Sequence, residues 1–174
     1  MKNLSKSKFV SGIQCEKKLW FDFYRKDLKP EIDDQTQAVF NLGHRIGTLA
    51  QEMFPNGKDA TPENYSNLKP SIENTKKWIS EKVETIYEAT FTAKNAFCML
   101  DILHREEDEI WAIEVKSSTS VKDYHFTDAS LQYFVMKNAG IAPDRFFIMH
   151  INNQYIKQGE LTSEIFTLTD ITEE

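Results

Sequence analysis

The chain is 174 residues long, which suits one domain, and its 40% hydrophobic content is enough for a buried core. With 28% charged residues, no apolar run long enough to span a membrane and no apolar segment behind the basic N-terminus, the sequence predicts a cytoplasmic protein with no membrane partner and no signal peptide. The net charge of −6 disfavours tight nonspecific binding to nucleic acid, although residues 1–30 are rich in Lys and Arg.

The N-terminal part, residues 1–84, is predicted to be mainly helical. The triplet at 55–57, Pro-Asn-Gly, ends the second helix, and a polar loop over 57–69 separates it from the third. Apolar residues recur at helical spacing in three segments, which predicts helices over 5–24, 35–54 and 71–83.

Residues 85–174 are predicted to form a sheet with one crossover helix. Three β-rich runs separated by polar connections predict a meander of strands over 85–92, 96–104 and 110–116. A helix over 126–138 leads into a strand over 145–151, and short edge strands are predicted at 155–157 and 165–168. The helical crossover places the strands at 110–116 and 145–151 parallel. The sequence therefore predicts a single α/β domain, with a central mixed β-sheet flanked by helices and an N-terminal helical segment.

Two of these apolar strands carry acidic residues. Asp101 lies in the run 99–103 and Glu114 in the run 110–115, where an isolated carboxylate is costly to bury. Lys116 follows Glu114 by two residues, so both side chains share one face of the strand. A divalent cation would neutralise the carboxylates, and it would also activate water and stabilise charge on a phosphate. The alternative is that Asp101 ends a strand and that Glu114 and Lys116 form an ordinary surface pair.

The wider pattern resembles a known family. An Asp on one strand followed by Glu-Val-Lys-Ser-Ser at 114–118 is similar to the RecB-like branch of the PD-(D/E)XK nuclease superfamily. The chain resembles most the bacterial RecB-like proteins with an uncharacterised domain and, more distantly, the CRISPR-associated RecB-like nucleases. The resemblance continues in chain order through the helical segment at 6–20, GHRIGTLA at 43–50 with FPNG at 54–57, YEATF at 87–91 and the run from 117 to 133.

The resemblance implies a restriction-endonuclease-like core and Mg²⁺- or Mn²⁺-dependent hydrolysis of DNA, single- or double-stranded. Asp101 and Glu114 match the metal-binding carboxylates, and the Val115 carbonyl is a further candidate ligand. Lys116 matches the catalytic lysine. Gln132 matches the helix glutamine that supports the site or contacts DNA.

Two further metal ligands are candidates with open alternatives. His44 falls where many RecB-like nucleases place a histidine ligand, but a solvated histidine is an equally good interpretation. Glu88 lies on the strand beside that of Asp101, where it is a second ligand, a supporting partner of the site or a buried edge residue paired with a lysine. Tyr124, His125 and Asp128 are candidates for the rim of the site by proximity in sequence alone.

The cysteines set a limit on the resemblance. Some RecB-like nucleases hold an iron–sulfur cluster with one N-terminal and three C-terminal cysteines. Cys15 stands where the first would be, but no cysteine follows Cys98, so a cluster is not expected in this chain. Cys98, in an apolar run, is predicted to be a buried small residue. The resembling proteins continue beyond residues 168–172, so we expect either a shortened relative or a piece of a longer protein, with a protein partner or a further C-terminal domain as candidates for the missing part.

Two alternatives to a nuclease follow from the same observations. A non-catalytic nucleic-acid-binding or scaffold module that keeps the nuclease fold would suit the acidic net charge. A different metal hydrolase or a protein-interaction domain would share the fold without the activity, because fold does not fix function.

Overall fold

A computed structural model describes residues 3–159 and 162–173. Its helices are α1 (Lys6–Gln14), α2 (Glu16–Tyr24), α3 (Asp34–Glu52), α4 (Lys69–Ser80) and α5 (Asp123–Asn138), with short 3-10 turns at Lys26–Leu28 and Ser163–Ile165. Its strands are β1 (Lys58–Asp59), β2 (Thr85–Ala93), β3 (Ala96–Glu106), β4 (Glu109–Lys116), β5 (Arg145–Ile151) and β6 (Phe166–Asp170).

The six strands form one open sheet in the order β1-β2-β3-β4-β5-β6. The β2–β3, β3–β4 and β5–β6 pairs are antiparallel, whereas β1–β2 and β4–β5 are parallel. Helix α5 is the crossover between β4 and β5, as predicted, because two parallel neighbours cannot be joined by a tight turn. The predicted α/β class with a central mixed sheet is confirmed.

Helices cover both faces of this sheet, so the core has two halves. One half packs α4 and α5 against one sheet face around Leu100, Val135 and Ile148. The other half packs α3 against the opposite face around Ile102 and Ile113. Regular alternation of side chains along β3 breaks at Asp101, because Leu100 and Ile102, two residues apart, pack on opposite faces of the sheet. Asp101 lines a cleft together with residues of α3.

The N-terminal segment differs from its prediction, since the helix expected over 5–24 is two helices. Cys15 is extended (φ −168°, ψ 117°), ends α1 and begins α2. The two helices approach each other closely at Gly12, which has no side chain. A Cβ there would lie only 3.0 Å from a methyl of Leu19. Helical periodicity runs through the break, so the pattern of apolar residues does not reveal it.

Two sheet predictions at the edges were wrong. Residues 155–157 form no strand, because β6 already occupies the free edge of β5. The segment 57–69, expected as loop, contributes the two-residue strand β1 beside Ile86 and Tyr87. No helix in the described part of the chain combines the length and apolarity needed to cross a membrane.

The end of α3 is fixed to the sheet through one side chain. The Tyr87 hydroxyl donates to the Phe54 carbonyl at 2.5 Å and accepts from the Gly57 N–H at 3.1 Å. A Cβ on Gly57 would lie 2.3 Å from the Tyr87 ring, so a side chain cannot fit there. This contact holds α3 over the sheet face that carries Asp101.

Gly57→Ala is expected to destabilise the protein by about 2 kcal/mol, because the new methyl displaces the Tyr87 ring and breaks its hydrogen bonds. The measurement is urea unfolding followed by circular dichroism. Gly43→Ala is the matched control: a Cβ there meets nothing within 4 Å, and alanine in place of glycine inside α3 is expected to stabilise by about 0.5–1 kcal/mol. Equal midpoints for the two variants would contradict the packing argument.

Candidate functional site

The β3 and β4 strands separate at the residues that carry the acidic groups. Their pairing extends to Ile102 opposite Ile113 and stops there. Asp101 and Glu114 come next on the two strands, and in place of a strand-to-strand bond the Val115 N–H donates to Asp101 Oδ2 at 2.6 Å. The parting strands open a gap at the sheet surface, with both carboxylates at its edge.

Glu114 is the most enclosed group of the site, with 1% of its surface exposed. Its Oε1 accepts from Lys116 Nζ at 2.6 Å and from Lys6 Nζ at 2.6 Å. Its Oε2 accepts from Gln132 Nε2 at 2.8 Å. Burial by itself raises the pKa of Glu114, but the two ammonium groups outweigh it and lower the pKa below its ordinary value. The carboxylate is therefore ionised and held in one orientation by three donors.

Asp128 completes a four-member cluster of alternating charge. This aspartate, on α5, lies 2.5 Å from Lys116 Nζ and 3.7 Å from Lys6 Nζ through its Oδ2 atom. Each lysine is thus placed between two carboxylates, those of Glu114 and Asp128. Burial alone lowers the pKa of both lysines, but the neighbouring carboxylates reverse the shift and raise it. Both lysines are cationic at neutral pH.

Asp101 and Glu88 are carboxyl groups whose neighbouring positive charge does not offset the cost of burying their ionised form. Burial, and then repulsion from Glu114, raises the pKa of Asp101 well above its ordinary value. The same two causes raise the pKa of Glu88 to about 7. A buried carboxyl whose charged form is disfavoured gains stability from a cation placed beside it.

Glu88 reaches this position through an unusual backbone conformation. It lies between the pairs Tyr87–Ile102 and Ala89–Leu100 on β2, so it faces Asp101 across the strands. Its φ of 52° is in the left-handed region, which is uncommon for a residue other than glycine, above all within a strand. Backbone strain of this kind costs about 1–3 kcal/mol and concentrates at functional sites.

A cleft of about 510 Å³ lies between α3 and the ends of these strands. Asp101, Glu114, Val115 and Lys116 line its sheet side together with Glu88. The opposite wall is the exposed face of α3, with glycines at 43 and 47 and His44 between them. The structure therefore brings His44 to the same cleft as the carboxylates, where its side chain is exposed.

The donor set of the cleft suits a hard divalent cation. Mg²⁺ commonly takes one or two carboxylates from the protein, with water and phosphate oxygens filling its other positions. Asp101 and Glu114 provide such a pair, with the Val115 carbonyl as a third oxygen and Glu88 nearby. Over residues 3–159 and 162–173, no group of three or more His, Cys, Asp or Glu side chains stands together in a way that could hold a metal ion. A cation here would depend on the pair Asp101 and Glu114, with water and phosphate oxygens filling its other positions.

The structure adds Lys6 to the site, a residue that was not among the candidates from the sequence. It lies 108 positions from Glu114 along the chain, and no spacing pattern links the two residues. Of the rim candidates, Asp128 contacts Lys116 directly. His125 is buried, and burial together with Lys116 lowers its pKa to about 4, whereas Tyr124 is exposed.

Neither cysteine belongs to the cluster of charged groups, although the Cys98 thiol donates to the Gln132 carbonyl at 3.9 Å. Cys98 is buried, as predicted, and burial raises the pKa of its thiol to about 12. Cys15 is exposed at the junction of α1 and α2.

Comparison with known proteins gives no functional assignment, so the proposal below depends on the residues of the site. No protein-family model matches the chain, and no curated protein sequence matches it.

Glu88→Gln is expected to stabilise the cation-free protein, and more so as the pH rises. The pKa of Glu88 is about 7, against 4.5 for the ordinary value, so the folded chain binds its proton more tightly and loses stability as the pH rises through this window. The gain is therefore small near pH 4 and reaches about 3 kcal/mol at pH 8, since each pKa unit corresponds to about 1.4 kcal/mol. Urea unfolding in EDTA from pH 4 to 8 measures it, with exposed Glu63→Gln as control. A gain independent of pH would contradict the titration.

Proposed function

We propose that the protein is a metal-dependent nuclease that hydrolyses DNA phosphodiester bonds and that its sheet is a restriction-endonuclease-like core. The observation that carries the proposal is the cluster of Asp101, Glu114, Lys116 and Gln132 at one opening of the sheet. These residue types have a combined use in phosphodiester hydrolysis, which needs a cation site, a fixed positive charge and an oriented water. The resemblance to RecB-like nucleases, which rests on these same residues and on their order in the chain, points to the same function.

Asp101, Glu114 and the Val115 carbonyl would hold Mg²⁺ or Mn²⁺, with Glu88 as a further oxygen donor and His44 on the facing wall. A bound cation of this kind supplies an activated water and stabilises negative charge on the phosphate. The carboxylates sit where the parted strands leave room for a phosphate oxygen and water. Among the ligands, Glu114 is held most firmly, because Gln132 fixes the oxygen that the lysines leave free.

Lys116 has the geometry of a group that stabilises developing charge. Its Nζ is held by Glu114 and Asp128 at 2.6 and 2.5 Å, and it lines the cleft at the end of β4. An ammonium fixed in advance needs no reorganisation when charge grows on a phosphate oxygen. Asp128 is a positioning residue in this scheme, because it acts by holding Lys116.

A non-catalytic nucleic-acid-binding module is the second candidate, and one observation favours it. Lys6 and Lys116 already neutralise Glu114 without a cation, so this part of the site is electrostatically complete within the chain. In that case a cation would add little to stability. Cation binding therefore separates the two candidates before any cleavage is measured.

Lys116→Ala and Asp101→Asn are each expected to reduce cleavage of linear DNA at least 100-fold, the usual scale for removing one charge-stabilising group. The assay uses purified protein with single- and double-stranded DNA in Mg²⁺, Mn²⁺ or EDTA. The control is Lys76→Ala, an exposed lysine on α4. Cleavage that persists at the wild-type rate in both site variants, or in EDTA, would reject the mechanism.

Mn²⁺ is expected to raise the melting temperature of the wild-type protein, through binding to the folded state alone. The rise should be absent in Asp101→Asn and larger in Lys6→Met, because removing the ammonium leaves Glu114 in greater need of a cation. Without metal, Lys6→Met should itself lose about 1–3 kcal/mol, since it breaks a largely buried ion pair. Calorimetry with and without Mn²⁺ measures both. No rise in any variant would favour the non-catalytic module.

A further inference from the structure

A second cleft lies on the N-terminal helices. It encloses about 990 Å³ between α1, α2 and the chain that continues to Pro30. Six basic side chains line it: Lys8, Lys17, Lys18, Arg25, Lys26 and Lys29. Asp22 is its one acidic lining residue among those described. In a chain of net charge −6, this concentration of positive charge is local and large.

Three of these cations have no carboxylate partner among the described residues of the chain. Arg25 is paired with Asp27 at 2.8 Å. Lys17, Lys26 and Lys29 are exposed and form no ion pair with any carboxylate in the described ranges. Like charges held together without counter-charges repel each other, so the arrangement favours an external polyanion.

The floor of the cleft is apolar and includes an aromatic ring. Phe21 lies in it with Leu28 and Pro30, and Lys17 Nζ stands 6.0 Å from the centre of the Phe21 ring. Trp20, which is half exposed, meets Phe21 edge to face at 5.4 Å. Cations around an aromatic floor suit single-stranded nucleic acid, whose phosphates need positive charge and whose unpaired bases stack on rings. An acidic peptide would use the cations but not the ring faces.

Helix α1 connects this cleft to the site on the sheet. Lys6, in its first turn, contacts Glu114, while Ser7, Lys8 and Ser11 line the basic cleft. The same nine-residue helix therefore borders both places.

We propose that the basic cleft of α1 and α2 binds single-stranded DNA and guides the strand toward Glu114 and Lys116. The inference rests on the proposed nuclease function, because it names the form of DNA that the site receives. Phosphates lie along Lys17, Lys26 and Lys29, and a base stacks over the apolar floor at Phe21.

The test is binding of a fluorescein-labelled oligothymidine of about 15 nucleotides, measured by anisotropy in EDTA so that cleavage plays no part. The triple variant Lys17→Gln, Lys26→Gln and Lys29→Gln should bind at least about tenfold more weakly at 0.1 M salt. The slope of log K against log salt should fall by about 2, because three phosphate contacts each contribute about 0.7. The matched control neutralises three exposed lysines of α4, Lys69, Lys76 and Lys77, and should keep the wild-type slope.

Three results would overturn the proposal: equal affinities and slopes for the cleft and control variants, equal competition by polyglutamate, or tighter lysine-dependent binding of a duplex of the same length. Selective loss of oligonucleotide binding in the cleft variant supports the proposal even if the wild-type protein cleaves nothing. Lysine-dependent oligonucleotide binding without any cleavage would reject the nuclease function but keep the binding cleft. Failure of the proposed function and failure of this inference therefore give different results.

Discussion

The ionised carboxylate of Glu114, buried at the end of β4, is the constraint on which the rest of the site depends. A charge with 1% exposure is tolerated only with close partners, and three elements supply them. Lys6 comes from α1, Lys116 from the same strand and Gln132 from α5. Because each donor belongs to a different part of the chain, satisfying this one group ties the N-terminal helix and the crossover helix to the centre of the sheet.

The sheet provides the opening that this charge cluster surrounds. Strands β3 and β4 pair from their hairpin to Ile102 and Ile113 and then part. Continued pairing on their outer sides keeps each strand rigid beyond that point, β3 with β2 and β4 with β5. Helix α3 closes the cleft from above, where Tyr87 fixes its end. A site built on strands and held by packed helices is more precise than one built on loops.

Charge is distributed unevenly between the two sides of this site. On the sheet side, Asp101 and Glu88 are carboxyl groups whose pKa is raised by burial and by Glu114, and Glu88 also adopts a left-handed backbone conformation. These features lower the stability of the cation-free protein, and they suit a cation site. On the helical side, α1 and α2 concentrate the lysines, which suits a polyanion. The proposed nuclease joins the two, since its substrate must be held by phosphates and attacked beside a cation.

The sequence by itself determined the α/β class, the β2–β3–β4 meander, the crossover helix and the placement of Asp101, Glu114 and Lys116 on adjacent strands. These features follow from local periodicity and from the two-residue repeat of a strand, which adjacent residues encode. Only the tertiary structure decided that Lys6 contacts Glu114, that Asp128 holds Lys116 and that His44 faces the same cleft. Such contacts join residues far apart in the chain, and they depend on how helices pack against the sheet. No spacing between neighbouring residues carries that information.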